Sequence, residues 1–254
     1  MAQPLIRIGE LLSTGWDQFL ADWKKNLELS IRFLLSSVVI FGAAFLTQNM
    51  PLAGQLVINV IALVAAAVIN IHTMITLTDF VLRRDSNPTK PTEPSVEIGW
   101  KLFGPFIFVV ALQTLAVLGG LALLVLPGIW LSVLFGYSIL MFMEDGHRGT
   151  QALAASAELV KHHWWSVLFR SLASGIITGL LISFSTLILL IIVGLFVGMD
   201  QVFNFATYSA NTVAPSPLVN GIESVIRGIT SALFIPLGII YQVKIFHSLK
   251  KSQM

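Results

Sequence analysis

LFGPFIFVVALQTLAVLGGLALLVLPGIWLSVLFGYSILMFM, residues 102–143, contains no charged side chain and no histidine. A single helix of that length would run about 60 Å, twice the roughly 30 Å of hydrocarbon in a bilayer, so the segment must turn back on itself. Gly119-Gly120 and Pro127-Gly128 mark where. Proline lacks the N–H that the first turn of a helix leaves unbonded anyway, so the break is expected at Pro127 and Gly128. The third helix then ends near Leu124, leaving spans at about 102–124 and 128–143. The second of these is short for a crossing and calls for a thinned or protein-lined region.

The rest of the chain is read outward from this hairpin. Of 254 residues, 56% are hydrophobic and only 11% charged, with mean hydropathy +0.84. A soluble domain carries roughly 25% charged residues, so a cytosolic globule, a disordered chain and a coiled coil are excluded. There is no cysteine, hence no disulfide, thiolate metal site or cysteine nucleophile. A net charge of +2 gives no ground for nucleic-acid binding. Four further apolar runs of spanning length lie at about 29–46, 56–80, 166–198 and 226–246, with Pro236 as a kink in the last. Residues 85–94 and 200–220 are expected to be polar loops, rich in proline at Pro88, Pro91, Pro94, Pro215 and Pro217.

Charged residues precede the first run, so it does not have the form of a cleavable signal. In residues 5–23, Leu5, Ile8, Leu12, Trp16, Phe19, Leu20 and Trp23 fall at steps of three and four. This is the stripe of a helix lying in the membrane interface. Residues 150–163 form a second amphipathic stretch, with Leu153, Ala157, Val160 and Trp164 against Glu158 and Lys161. All of the 15 Lys and Arg residues except Arg227 flank the ends that six spans would place on one side. Because cations favour the cytoplasmic side, both termini are expected there. The expected fold is all-α: a polytopic helical membrane protein with six transmembrane helices in three hairpins, accompanied by interfacial helices.

The hairpins carry a repeated entry motif. Trp23-x-x-x-Leu27-x-x-Ser30 matches Trp164-x-x-x-Leu168-x-x-Ser171, and Glu97-Ile98-Gly99-Trp100 is a looser third copy. The segments Leu126-Pro127-Gly128-Ile129-Trp130-Leu131, Met143-Glu144-Asp145-Gly146 and Ala152-Leu153-x-x-Ser156-x-x-Leu159-Val160-Lys161-x-x-x-Trp165 are more specific. They resemble a broad group of bacterial six-helix inner-membrane proteins of unassigned function, similar also to the membrane domain attached to some glycerophosphodiester phosphodiesterases. The resemblance implies this fold and a bacterial inner membrane. It implies no activity, since the polar loops here are too short to hold the catalytic barrel of those fusions.

Charges near a bilayer cost free energy and are the first candidates for function. Glu28 and Arg32, Asp79 and Arg83, and Glu223 and Arg227 each stand acid-then-base at i,i+4 and can pair along their own helices. The functional alternative gathers Arg32, Asp79, Arg83, Arg84 and Arg170 into a site for an anionic headgroup or a partner protein. Asn70 and His72 are two apart and face different ways, so His72 is expected to bond a neighbouring helix. Glu158 and His162 share a face but make no recognised metal motif. No nucleophile elbow or phosphate-cradling loop is present. Ser171, Gly175, Gly179 and Ser183 recur every four residues, a ridge suited to close packing against another span or to homodimerisation.

These features favour a non-enzymatic membrane module contacting lipid or another membrane protein, with no cofactor. The alternatives are a transporter or lipid translocase using the Pro-Gly break, and a membrane-embedded hydrolase.

Overall fold

A computed structural model describes residues 4–87, 92–198 and 217–253, with the side chains of 197 and 217–220 outside the description. Pro88, Lys90 and Pro91 and most of the loop expected at 200–220, with Pro215, also lie outside it. Nine helices occupy the described residues: α1 (Ile8–Ala21), α2 (Trp23–Thr47), α3 (Leu52–Ser86), α4 (Val96–Leu123), α5 (Val125–Leu134), α6 (Ser138–Asp145), α7 (Thr150–Val160), α8 (Trp164–Val197) and α9 (Pro217–Gln253). Six stretches are long and apolar enough to cross a membrane: Trp23–Thr47, Leu52–Ser86, Val96–Leu123, Val125–Asp145, Trp164–Phe196 and Gly221–Gln253. The chain is thus all-helical among the described residues and has the composition of a multi-pass membrane protein.

The chain divides into two compact units. The first comprises Met1–Trp23, Met74–Ile177 and Leu237–Met254, the second Lys24–Thr73 and Thr178–Pro236. In the first, α1 buries Leu11 completely and sets Gly15 so tightly against Tyr241 that an added Cβ would collide with the ring. Trp16 and Leu20, from the apolar stripe, stay exposed. Helix α1 therefore has a packing edge distinct from the lipid-facing stripe read in the sequence.

Helix α7 buries Ala152, Leu153, Ser156, Leu159 and Val160. Its Ser156 hydroxyl donates to the Leu134 carbonyl at 2.6 Å and accepts from the Tyr137 N–H at 3.2 Å, satisfying two groups freed where α5 gives way to α6. Gly146 (φ +74°) ends α6 in the left-handed conformation that glycine adopts without strain. In the second unit, the Ser30 hydroxyl donates to the Ala232 carbonyl at 2.6 Å, Gly221 leaves no room for a Cβ beside the Phe41 ring, and Thr186 meets Thr230 at 3.0 Å. Leu56, Val57, Val60, Ile61, Leu63 and Val64 of α3 are all exposed, covering several sides of the helix. Surface of that kind is the outer skin of a helix dissolved in hydrocarbon.

Several expectations need correction. The 5–23 helix begins only at Ile8, and Asp22 separates it from α2. Asp85 belongs to α3 rather than to a solvated loop, because its carboxylate is held by two side chains of α9. The third span starts at Val96 and carries Pro105 inside. Its break falls at Leu124, and Pro127 sits in the first turn of α5, where its missing N–H costs nothing. The run 128–143 is not one helix: residues Phe135, Gly136 and Tyr137 form a turn between α5 and α6.

Candidate functional site

The charged ends of α3, α6 and α9 meet in one network inside the first unit. Helix α9 carries Lys244, His247 and Lys250 at steps of three, which puts them on one side of the helix. Lys244 Nζ donates to Asp85 Oδ1 at 3.0 Å. His247 lies between two carboxylates, with Nδ1 2.6 Å from Asp85 Oδ2 and Nε2 2.8 Å from Glu144 Oε2. Only a ring protonated on both nitrogens donates to both. Lys250 Nζ closes the chain on Glu144 Oε1 (2.9 Å) and Asp145 Oδ1 (2.7 Å). These side chains are 14–29% exposed, so the network is shielded but wet at its edge.

On one side the network opens into a cavity of about 560 Å³, with Arg7, Glu10, Thr14 and Lys251 on its walls. The N-terminal segment is pinned beside it: Ile6 donates its N–H to Ser248 Oγ at 2.8 Å, and its carbonyl accepts from Arg170 Nε at 2.7 Å. Chemically this is an interlocked set of ion pairs joining three helix ends. Among the described residues, no group of three or more His, Asp or Glu is placed to hold a metal ion.

A second cavity, about 760 Å³, lies between α5 and the turn joining α7 to α8. Leu126, Pro127 and Trp130 line it from one side, and Lys161, His162, His163, Trp164 and Trp165 from the other. Trp164 Nε1 donates to the Trp130 carbonyl at 3.2 Å, fixing the two walls to each other. Trp164 and Trp165 meet edge to face with ring centroids 4.7 Å apart. Lys161 pairs with Glu158 at 2.5 Å, but both side chains are largely exposed. An ion pair so exposed contributes about 1 kcal/mol or less and exchanges readily for another anion.

The residues singled out in the sequence have other partners. Arg83 bonds Asp79 on its own helix, as its spacing anticipates, and Arg227 Nε likewise bonds Glu223 Oε1 at 3.0 Å. Arg84 Nε bonds Asp22 Oδ2 at 2.8 Å. Arg170 is occupied by the carbonyls of Ile6 and, through Nη1 at 2.9 Å, Ser166. Arg32, in the second unit, does not pair with Glu28; its Nη1 is 3.5 Å from Nδ1 of buried His72. His72 thus bonds a neighbouring helix, as expected. Of the five candidates, Asp79 and Arg83 are joined by a direct bond, and Arg84 and Arg170 bond Asp22 and backbone carbonyls.

Among the described residues, the small-residue ridge makes no close contact at its two glycines. An added Cβ at Gly175 or Gly179 meets nothing within 4 Å, and Ser183 is exposed. Ser171 instead meets the Tyr137 hydroxyl at 3.2 Å, and α8 packs through neighbouring Val167, Ser174 and Thr178. Sequence reasoning named Pro127, Lys161, His162 and Trp164 without joining them into a cavity, and it missed the meeting of His247 with Asp85 and Glu144. The stepped Lys244, His247 and Lys250 were the available signal, but their acidic partners lie about 100 and 160 residues away.

No family model, curated protein or solved structure matches this chain.

Proposed function

We propose that this is a non-enzymatic multi-pass protein of a bacterial inner membrane, with cytoplasmic termini, that binds anionic lipid headgroups in the tryptophan-lined cavity between α5 and the α7–α8 turn. The observation that carries the reading is the lining: a lysine and two histidines beside three tryptophans, in a cavity open to its surroundings. Tryptophan suits the headgroup layer, where its ring meets acyl chain and its N–H meets water or phosphate. Lys161 and the histidines supply the charge and hydrogen bonds that a phosphate takes. Three of the four arginines first suspected of this role are engaged with Asp22, Asp79 and backbone carbonyls, and the fourth, Arg32, lies against His72, which favours the cavity over them. The resemblance to six-helix inner-membrane proteins supports the compartment.

The test compares thermal unfolding in mixed micelles of detergent with phosphatidylglycerol or phosphatidylcholine. The anionic lipid should raise the midpoint of the wild-type protein above that in the zwitterionic lipid. A Lys161→Glu/His163→Glu variant should lose the difference. Equal midpoints for the wild type in the two lipids would refute the reading.

A further inference from the structure

We propose that the α4–α5 hairpin does not cross the bilayer but lies within a single leaflet, its apolar surface against acyl chains. The chain then crosses four times, through α2, α3, α8 and α9. The argument needs only distances inside the first unit.

There, α8 and α9 run antiparallel. Gln242 Nε2 donates to Ser174 Oγ, Tyr137 lies between Ser171 and Phe246, and Gln253 reaches the Leu159 carbonyl just before α8 begins. The pair serves as a ruler graded at about 1.5 Å per residue. The Trp130 carbonyl meets Trp164 at its outer end, and Tyr137 meets Ser171 seven residues farther in. Glu144 is back toward the end, on His247 and Lys250. Between residues 130 and 144 the chain moves in by about 10 Å and then turns back outward by about 2–6 Å, since His247 and Lys250 stand one and four residues outward of Phe246. A crossing helix would advance roughly 30 Å in one direction. The turn at Phe135, Gly136 and Tyr137, capped by Ser156, is where the direction reverses.

The tip of the hairpin agrees. Leu126 and Pro127 share a cavity with Lys161, His162 and His163. A crossing hairpin would put its tip and the α7–α8 turn on opposite faces, roughly 30 Å apart. Water is no alternative surrounding for it: Leu123, Leu124, Val125 and Leu126 are 64–77% exposed and belong to the charge-free run. Four consecutive exposed apolar residues call for hydrocarbon, and the exposed rings of Trp100, Trp130 and Trp165 suit the headgroup depth of the same leaflet.

The distribution of cations is compatible with four crossings or six. Withdrawing one hairpin removes two crossings together, so every Lys and Arg keeps its side. The proposal concerns the depth of the hairpin and does not rest on the headgroup reading.

Because the chain has no cysteine, introduced thiols are the only ones present. Leu126→Cys and His162→Cys, both at exposed positions, are combined in protein reconstituted into phosphatidylcholine vesicles and treated with a short bis-maleimide. An intramolecular cross-link is expected. Its absence when each thiol reacts with a monofunctional maleimide would overturn the proposal. A nitroxide on Leu124→Cys should relax with oxygen more than with a water-soluble nickel chelate. Dominant relaxation by nickel, or cross-linking of Leu126→Cys between two chains, would show water or a second copy at the tip and overturn it equally.

Discussion

Replacing Asp85 with Asn removes the charge that ties α3 to α9 while keeping shape and volume. The carboxylate accepts from Lys244 at 3.0 Å and His247 at 2.6 Å, through side chains 14–16% exposed. A hydrogen bond to a charged group contributes about 1.5–3 kcal/mol. The open cavity beside it lets water replace part of the loss, so a net cost of about 2–3 kcal/mol is expected rather than the sum of two full bonds. For a chain of this size that lowers the thermal midpoint by about 4–12 °C. The assay is tryptophan fluorescence against temperature in a mild detergent, with Lys251→Gln as control. Lys251 is an exposed neighbour on α9, and its substitution should stay within about 0.5 kcal/mol. A double-mutant cycle with His247→Gln should give a coupling of about 1–2 kcal/mol. If Asp85→Asn melts with the wild type, or the cycle is additive, the network does not hold the helix ends together.

Three glycine substitutions separate close packing from open surface. Gly15→Val drives a side chain into the Tyr241 ring and should cost about 1–3 kcal/mol, seen as a lower melting midpoint. Gly128→Val meets the Leu121 side chain and its backbone nitrogen at 2.9 Å, so it should loosen the α4–α5 hairpin and speed amide hydrogen exchange there. Gly179→Leu enters open space and should leave both melting midpoint and oligomeric state in detergent unchanged; a fall in either would show that another chain covers this ridge.

How much of this was legible depended on what kind of physical signal each feature leaves. Transfer into hydrocarbon acts on every residue of a span, so the long apolar runs were visible in composition alone, and α8 matches its expected bounds within two residues. Two of the three pairs at i,i+4, Asp79 with Arg83 and Glu223 with Arg227, were equally legible, while Arg32 turns from Glu28 to His72 on another helix. The ridge on α8 was legible as a shared face, but spacing does not tell what that face meets, and at Gly175 and Gly179 no described residue of this chain meets it. The network around His247 was hidden for the complementary reason: Asp85 and Glu144 reach it only through tertiary packing. The α5–α6 turn left no strong mark, since Phe135, Gly136 and Tyr137 interrupt an apolar run with only one glycine. Hydropathy measures how well a segment dissolves in lipid, a scalar, whereas crossing is a statement about direction. Direction becomes fixed only when two points on a segment are tied to points of known separation elsewhere. Trp130 on Trp164 and Glu144 on His247 are such ties, and neither can be read from the residues between them.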